Sequence, residues 1–405
     1  MIVSDFLAIR QRTSWTIHVS LLAVFTLLVS GCGLSNTPSS STSGPIRIGF
    51  SITETGSNSA PALFDLQGYQ LAADAINAQG GLLGRKVQLV YYDDQQSTAT
   101  AVQLYQKLIT SDKVDLLVGP YQSDLDLAIA PLITRAKMVM PAMDANVEEF
   151  NGKFPYLLQS ITQSPRYMAP VIDLAAREGY KTLALLVQQT AFPQELARGI
   201  VQSAQAKGIS VVFKGTYPAS ATDFSSLILK AGAAKPDMII GATFLPDSEG
   251  IVRAAKAANI NAKLFAFSVG PAEPEFDTGL GSTANNILGT TLWFPTLQTA
   301  GNAAFVQTFH KKFGRDPDYH AAMAYGTMQS LAAAVKNAGS LDQAKIRAAY
   351  LKLNIQTVAG HFTLNSNGLQ LGYQAYILQW QDGKQVPVWP DSVKTADVIL
   401  PHPAW

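Results

Sequence analysis

Short, continuous apolar runs alternate with stretches of helical spacing along most of the chain. Residues 46–51, IRIGFS, form the first run, and a loop to about Leu63 is expected after it. In 64–81 the apolar residues Leu66, Tyr69, Ala73 and Ile76 recur on one helix face, and Gly80-Gly81 closes that helix. KVQLVYYDD (86–94) predicts the next strand, and Val102, Leu104, Tyr105, Leu108 and Ile109 mark a second helix. VDLLVGP (114–120) predicts a strand ended by Gly-Pro, DLDLAIAPLITRA (124–136) a helix, and KMVMPA (137–142) a strand. The pattern then restarts. Strands are predicted at 182–187, 209–214, 237–242 and 263–268, and helices are centred near 197, 228, 253, 306, 329 and 347.

Strands that are apolar throughout, alternating with amphipathic helices, imply a parallel sheet covered on both faces. The repetition over more than 200 residues predicts an α/β protein of two Rossmann-like lobes. The end of the chain differs. Residues 358–384 alternate apolar and polar positions around Asn-Gly turns, as antiparallel hairpins do.

The N-terminal region carries the only cysteine, Cys32, in LLVSGCG. Before it come Arg10 and Arg12, a short apolar stretch TIHVSLLAVFTLLV, and the small residues Ser30 and Gly31. That order describes a secretory signal peptide over 1–31, too short in its apolar part for a transmembrane helix. Ending at Cys32, it resembles the lipobox of bacterial lipoproteins. The resemblance implies a lipidated Cys32 that holds the protein to the bilayer, since buried acyl chains anchor durably. Residues 33–45, GLSNTPSSSTSGP, lack the apolar content to fold and read as a tether. No cysteine follows Cys32, so the body folds without disulfides.

Charge narrows the partners. Of 30 Lys and Arg and 29 Asp and Glu, the signal peptide holds Arg10, Arg12 and Asp5, which leaves 28 of each sign. A balanced body argues against nucleic acid, which requires a basic face, and against electrostatic attachment to anionic lipid. A monomer with no cofactor is expected.

INAQGGLLGRKVQLVYYDDQ (76–95) makes a family resemblance specific. Its order of helix, Gly-Gly, Gly-Arg-Lys, strand and Asp-Asp is similar to the first lobe of type I periplasmic-binding proteins, notably the leucine/isoleucine/valine and related amide or aromatic-acid receptors of ABC importers. IRIGFSITETG, VDLLVGPYQS with MVMPAMDA, FPYLLQSITQSPRYMAP, DFSSLILKAGAAKPDMIIGA and EGIVRAAKAANI extend it from about 46 to 380. The resemblance implies two lobes joined by three crossing strands, with the ligand buried between them. Lobe one is expected at 45–158 plus 294–355 and lobe two at 159–293 plus 356–400. It implies a lipid-anchored, extracytoplasmic receptor that delivers a small molecule to permease subunits. A receptor coupled to a membrane kinase is the alternative, and an enzyme is disfavoured because no base, nucleophile and metal set can be assembled.

Ligands in open α/β sheets bind beyond the carboxyl ends of strands. The first-strand loop TETGSNS therefore offers Ser57. After the third strand come Tyr121, Ser123 and Asp124, of which Ser123 or Asp124 alternatively caps the following helix. After the fourth come Ala142 and Asp144. The resemblance places a hydroxyl residue where Asp144 stands, and an acid where Val269 stands, so both halves of an amino-acid clamp look altered. Phe192 and Phe244 match family aromatic positions. A ligand with an apolar part, neutral or cationic at the end facing Asp144, is expected. Asp93-Asp94 reads as a loop or capping pair rather than a metal site, and GLGSTA (279–284) as a loop rather than a dinucleotide fingerprint. His310, His320, His361 and His402 lack metal-type spacing, and His320 with Tyr319 reads as packing at a crossover.

Overall fold

The computed structural model describes residues 44–143 and 146–405. The expected signal peptide, Cys32 and most of the tether lie outside the described residues, as does Asp144. The chain begins with β1 (Ile46–Ile52), α1 (Ser59–Ala78), β2 (Val87–Asp93), α2 (Thr98–Thr110), β3 (Leu116–Leu117), α3 (Ser123–Ala136) and β4 (Met140–Ala142). β2, β1 and β3 form a parallel three-stranded sheet, and β4 pairs in parallel with β5 (Leu157–Gln159).

The second run holds α4 (Ser164–Tyr167), α5 (Ala169–Arg177), β6 (Thr182–Gln188), α6 (Ala191–Ala206), β7 (Ser210–Tyr217), α7 (Ser225–Ala233) and β8 (Met238–Ala242). It continues through α8 (Leu245–Ala257), β9 (Leu264–Phe267), α9 (Glu275–Leu280) and β10 (Leu288–Thr291). Three helices follow: α10 (Asn302–Phe313), α11 (Tyr319–Ala338) and α12 (Gln343–Tyr350). Two antiparallel hairpins end the order, β11 (Asn354–Thr357) with β12 (Gly360–Thr363) and β13 (Tyr376–Gln381) with β14 (Lys384–Trp389).

The larger sheet runs β14-β13-β10-β9-β8-β6-β7. It is parallel from β10 to β7 and antiparallel at its β13 and β14 edge. β8 and β9 are buried at every position, as interior parallel strands covered on both faces must be. β7 closes the other edge and alternates exposed with less exposed residues over its first five positions.

Two departures from the sequence reading have local causes. α1 starts at Ser59, not beyond Leu63. Pro61 suggests a loop, but a proline in the first helical turn loses only an N–H that has no partner there. β3 is two residues long because the chain changes partners. Val118 N–H still bonds Gly49 of β1 at 3.1 Å, whereas Gly119 N–H bonds Pro141 of β4 at 2.8 Å.

α1 packs along α11 with its backbone unusually close. A Cβ at Gly68 would lie 2.4 Å from the Ala321 carbonyl oxygen and 2.8 Å from the Ala324 Cβ. This approach fixes the N-terminus of α11 beside the first sheet, which matters for the site.

Candidate functional site

Four helices begin around one cavity. Ser123 is the first residue of α3, Phe192 the second of α6, Phe244 the N-cap of α8, and Tyr319 the first of α11. α3 follows a strand of the three-stranded sheet, and α6 and α8 follow strands of the larger one, so the cavity sits where the carboxyl ends of both sheets face each other. It holds about 400 Å³ of empty space, part of it open to solvent. Its walls are Tyr121, Gln122, Ser123, Met143, Ile161, Tyr167, Phe192, Phe244, Val269, Tyr319 and His320. All but Gln122 are buried.

The rings are arranged edge to face rather than stacked flat. Tyr167 and Phe192 are T-shaped at 5.5 Å between centroids, and Phe192 and Phe244 are tilted at 5.9 Å. Tyr121 meets His320 edge-on at 5.4 Å, and Tyr319 lies 3.9 Å from the same imidazole. Such pairing holds the rings rigidly and presents both faces and edges to the space between them. Burial first, and then neighbouring negative charge, pushes the Tyr121 and Tyr319 hydroxyls well above the ordinary tyrosine range. They stay protonated donors.

Polar groups are few and held from behind. Asp318 caps α11, accepting Ala321 N–H at 3.1 Å through one oxygen while the other lies 2.7 Å from His320 Nδ1. The imidazole is thereby oriented, and its Nε2 has no partner among the described residues. Gln122 has φ 91° and ψ 135°, a conformation that costs a non-glycine residue about 1–3 kcal/mol. The strain is sited at the residue that lines both this cavity and the next.

That second cavity, with about 560 Å³ of empty space part of which is open to solvent, is lined by Ser57, Asn58, Gln96, Thr98, Gln122, Asp124, Leu125, Gln188, Thr190 and Ala219. It is polar where the first is aromatic.

Tyr121, Ser123, Phe192, Phe244 and Val269 are thus brought together at the aromatic cavity. Ser57 and Asp124 are not. Ser57 is exposed and donates to Gln96 at 3.0 Å in the polar cavity. Asp124 does not cap its own helix; it accepts the backbone N–H of Ala191 on α6. Ala142 is fully buried at the end of β4 behind the wall, and its carbonyl accepts both the N–H and the hydroxyl of Ser160. Its small size is a packing requirement, since a Cβ on Gly119 would lie 2.9 Å from the Ala142 Cβ. Gln122 and Met143 stand in the strand-end loops where contacts were expected but were not singled out as contacts, and the walls that sequence reasoning missed are Ile161, Tyr167, Tyr319 and His320. His320, read as a packing residue, does pack on two tyrosines, yet it also lines the cavity.

A family model described as periplasmic binding protein matches residues 45–385. A Leu/Ile/Val-binding protein homolog 7 of Brucella suis biovar 1 is 23% identical over 358 residues, covering 83% of this chain and 89% of that protein. The substrate-binding protein LivJ of Streptococcus pneumoniae, solved with isoleucine, superposes with a TM-score of 0.78 at 24% identity over 88% of this chain and all of that one. A solute-binding protein of R. palustris, solved with benzoate, gives 0.75 at 22% identity over 89% of this chain and 98% of that one. At these identities the structural likeness is one of fold.

Proposed function

The chain belongs to the periplasmic binding protein family, and from that premise we propose that it is an extracytoplasmic solute receptor presenting one small organic molecule to the permease of an ABC importer. The observation that carries this reading is the aromatic cavity, walled by helix starts that follow strands of both sheets. A predominantly apolar pocket with a few placed polar groups is the form that small-ligand sites take. The relatives solved with isoleucine and with benzoate support an amino-acid-like, amide or aromatic ligand.

In this reading lobe one is 45–158 plus 294–355 and lobe two 159–293 plus 356–400, and they hinge about the strands between them. Tyr121, Ser123, Phe192, Phe244 and Val269 contact the ligand directly. Ser57 from its loop, Asp124 from the first turn of α3 and Ala142 from the end of β4 support that contact from behind, and Asp144 is a further proposed ligand residue. Closure is driven by the ligand's higher affinity for the shut form, and the shut surface is what the permease recognises. Lipidated Cys32 keeps the receptor, as a monomer, at the membrane through the 33–45 tether.

Mass spectrometry of small molecules co-purified with the body from residue 45, followed by calorimetry with the identified compound, tests the reading. One compound bound at a single site, with the scattering radius falling on binding, is expected. A body that carries no small molecule and whose radius answers to none sinks it.

A further inference from the structure

Resting on the reading of the aromatic cavity as a solute site, we propose that its ligand is a small organic ammonium ion, an amine or alkylated ammonium bearing an apolar or aromatic group, whose charge is balanced by the buried carboxyl of Glu273. Glu273 lies four residues beyond Val269, just past the tight turn Gly270–Ala272 that follows β9. It is 1% exposed, and neither carboxyl oxygen has a hydrogen-bond partner among the described residues. It lies behind the walls rather than in them, close enough to Tyr121, Tyr167 and Tyr319 that ionising it would push their hydroxyls up.

A buried carboxyl without a partner is costly to keep, and a cation in the space beyond those tyrosines is the group that compensates it. The rest of the cavity agrees in sign. No lysine or arginine is among its described walls. His320, the one basic side chain there, is offset by Asp318 at 2.7 Å. Three of the four helix starts already hold carboxylates of the protein: Asp124 on Ala191, Asp247 on Phe244 and Asp318 on Ala321. Their positive ends are therefore largely spent. Aromatic faces attract cations, most strongly where water is excluded. An anionic ligand would find no lysine or arginine among the described walls to answer it, and its one basic neighbour, His320, is already engaged by Asp318.

Four compounds matched in size separate the charge classes: 2-phenylethylamine, 2-phenylethanol, 3-phenylpropionate and phenylalanine. Calorimetry on the whole body is expected to rank the amine first, about tenfold or more above the alcohol. In Glu273→Gln the amine is expected to fall about tenfold while the alcohol is unchanged, which separates a charge effect from a general loss of structure. Tighter binding of the propionate or of phenylalanine than of the amine overturns the inference and leaves the receptor reading standing. An amine affinity unmoved by Glu273→Gln does the same. Binding of none of the four overturns the inference, and the receptor reading falls with it only if no small molecule co-purifies either.

Discussion

The carboxylate of Asp124, in the first turn of α3, accepts the backbone N–H of Ala191, the first residue of α6, at 3.2 and 3.3 Å. α3 follows a strand of the small sheet and α6 a strand of the large one, so one hydrogen-bonded cap joins the two halves across the cleft. α6 has no side-chain cap of its own from Thr190. Burial pushes the Asp124 carboxyl above its ordinary range, and the Ala191 N–H opposes that push. If the halves separate when empty, this cap exists only in the shut form. Asp124→Ala is then expected to weaken ligand binding by about 1 kcal/mol, roughly fivefold, while the thermal midpoint of the empty protein stays nearly constant. Paired calorimetric and thermal measurements check it; unchanged affinity would mean that the cap forms whether or not ligand is present.

Phe192 and Phe244 face the cavity, whereas Phe265 of β9 is fully buried in a core cluster of the large sheet, against His402 and Trp405. The same truncation should therefore read out differently. Phe265→Ala is expected to cost about 3–5 kcal/mol of stability. Phe192→Ala and Phe244→Ala are expected to cost less stability but to lower affinity for the co-purified solute about tenfold, through lost ring contact and lost apolar burial. Melting curves with and without that solute distinguish the two classes. Equal stability losses with no change in affinity would place both phenylalanines in the core and outside the site.

The strands of the two sheets were readable because buried parallel strands are apolar at every position, and LALLV and MIIGA admit little else. β5 and β10, three and four residues long, offer too little pattern against their surroundings. The cavity was readable where its walls lie within a few residues beyond a strand end, as Tyr121, Phe244 and Val269 do. Tyr167, Tyr319 and His320 arrive by helices with no strand immediately before them, so the strand-end rule has nothing to say of them. Asp318, a cap residue at the start of a helical period, was the one available signal that a helix begins at Tyr319. The separation of Ser57 and Asp124 from the aromatic walls depends on the strained backbone of Gln122, which no side-chain pattern encodes.

Asp247 caps α8 beside Phe244 and is bonded by Tyr217 and Gln188. Burial, only partly answered by those bonds, pushes its carboxyl from 3.8 up to about 6. The folded form therefore holds the proton more tightly than the unfolded chain. The resulting stability is fully present below about pH 4, is lost as pH rises towards 6, and stays lost above it. The gap is worth up to about 3 kcal/mol. Relative to the wild type, Asp247→Asn is expected to gain stability by up to that amount between pH 4 and pH 7, whatever its offset at pH 4. Denaturant titrations at several pH values measure the slope, and a flat difference would show that Asp247 ionises freely in the folded protein.

Glu273 permits the converse test of a ligand group, on the empty protein. Burial first, and then the charges of Asp318, Glu275, Glu249 and Asp247, push its carboxyl well above the usual 4.5. The nearby arginines are engaged elsewhere, Arg315 with Glu275 and Arg253 with Glu249. Below about pH 4 both the folded and the unfolded chain carry the proton, and the acid costs nothing extra. As pH rises past 4.5, the unfolded chain gives up its proton and the folded one does not, so the acid weighs increasingly against folding. Glu273→Gln removes that weight. The variant is expected to match the wild type near pH 4 and to melt a few degrees higher at pH 7, a gain of roughly 1 kcal/mol or more. A residue kept only for packing would give no such gain, since glutamine nearly preserves its shape. A variant that melts lower at pH 7 than the wild type would mean that Glu273 is ionised and paired in the empty protein, and would remove the unpartnered buried acid on which an ammonium ligand depends.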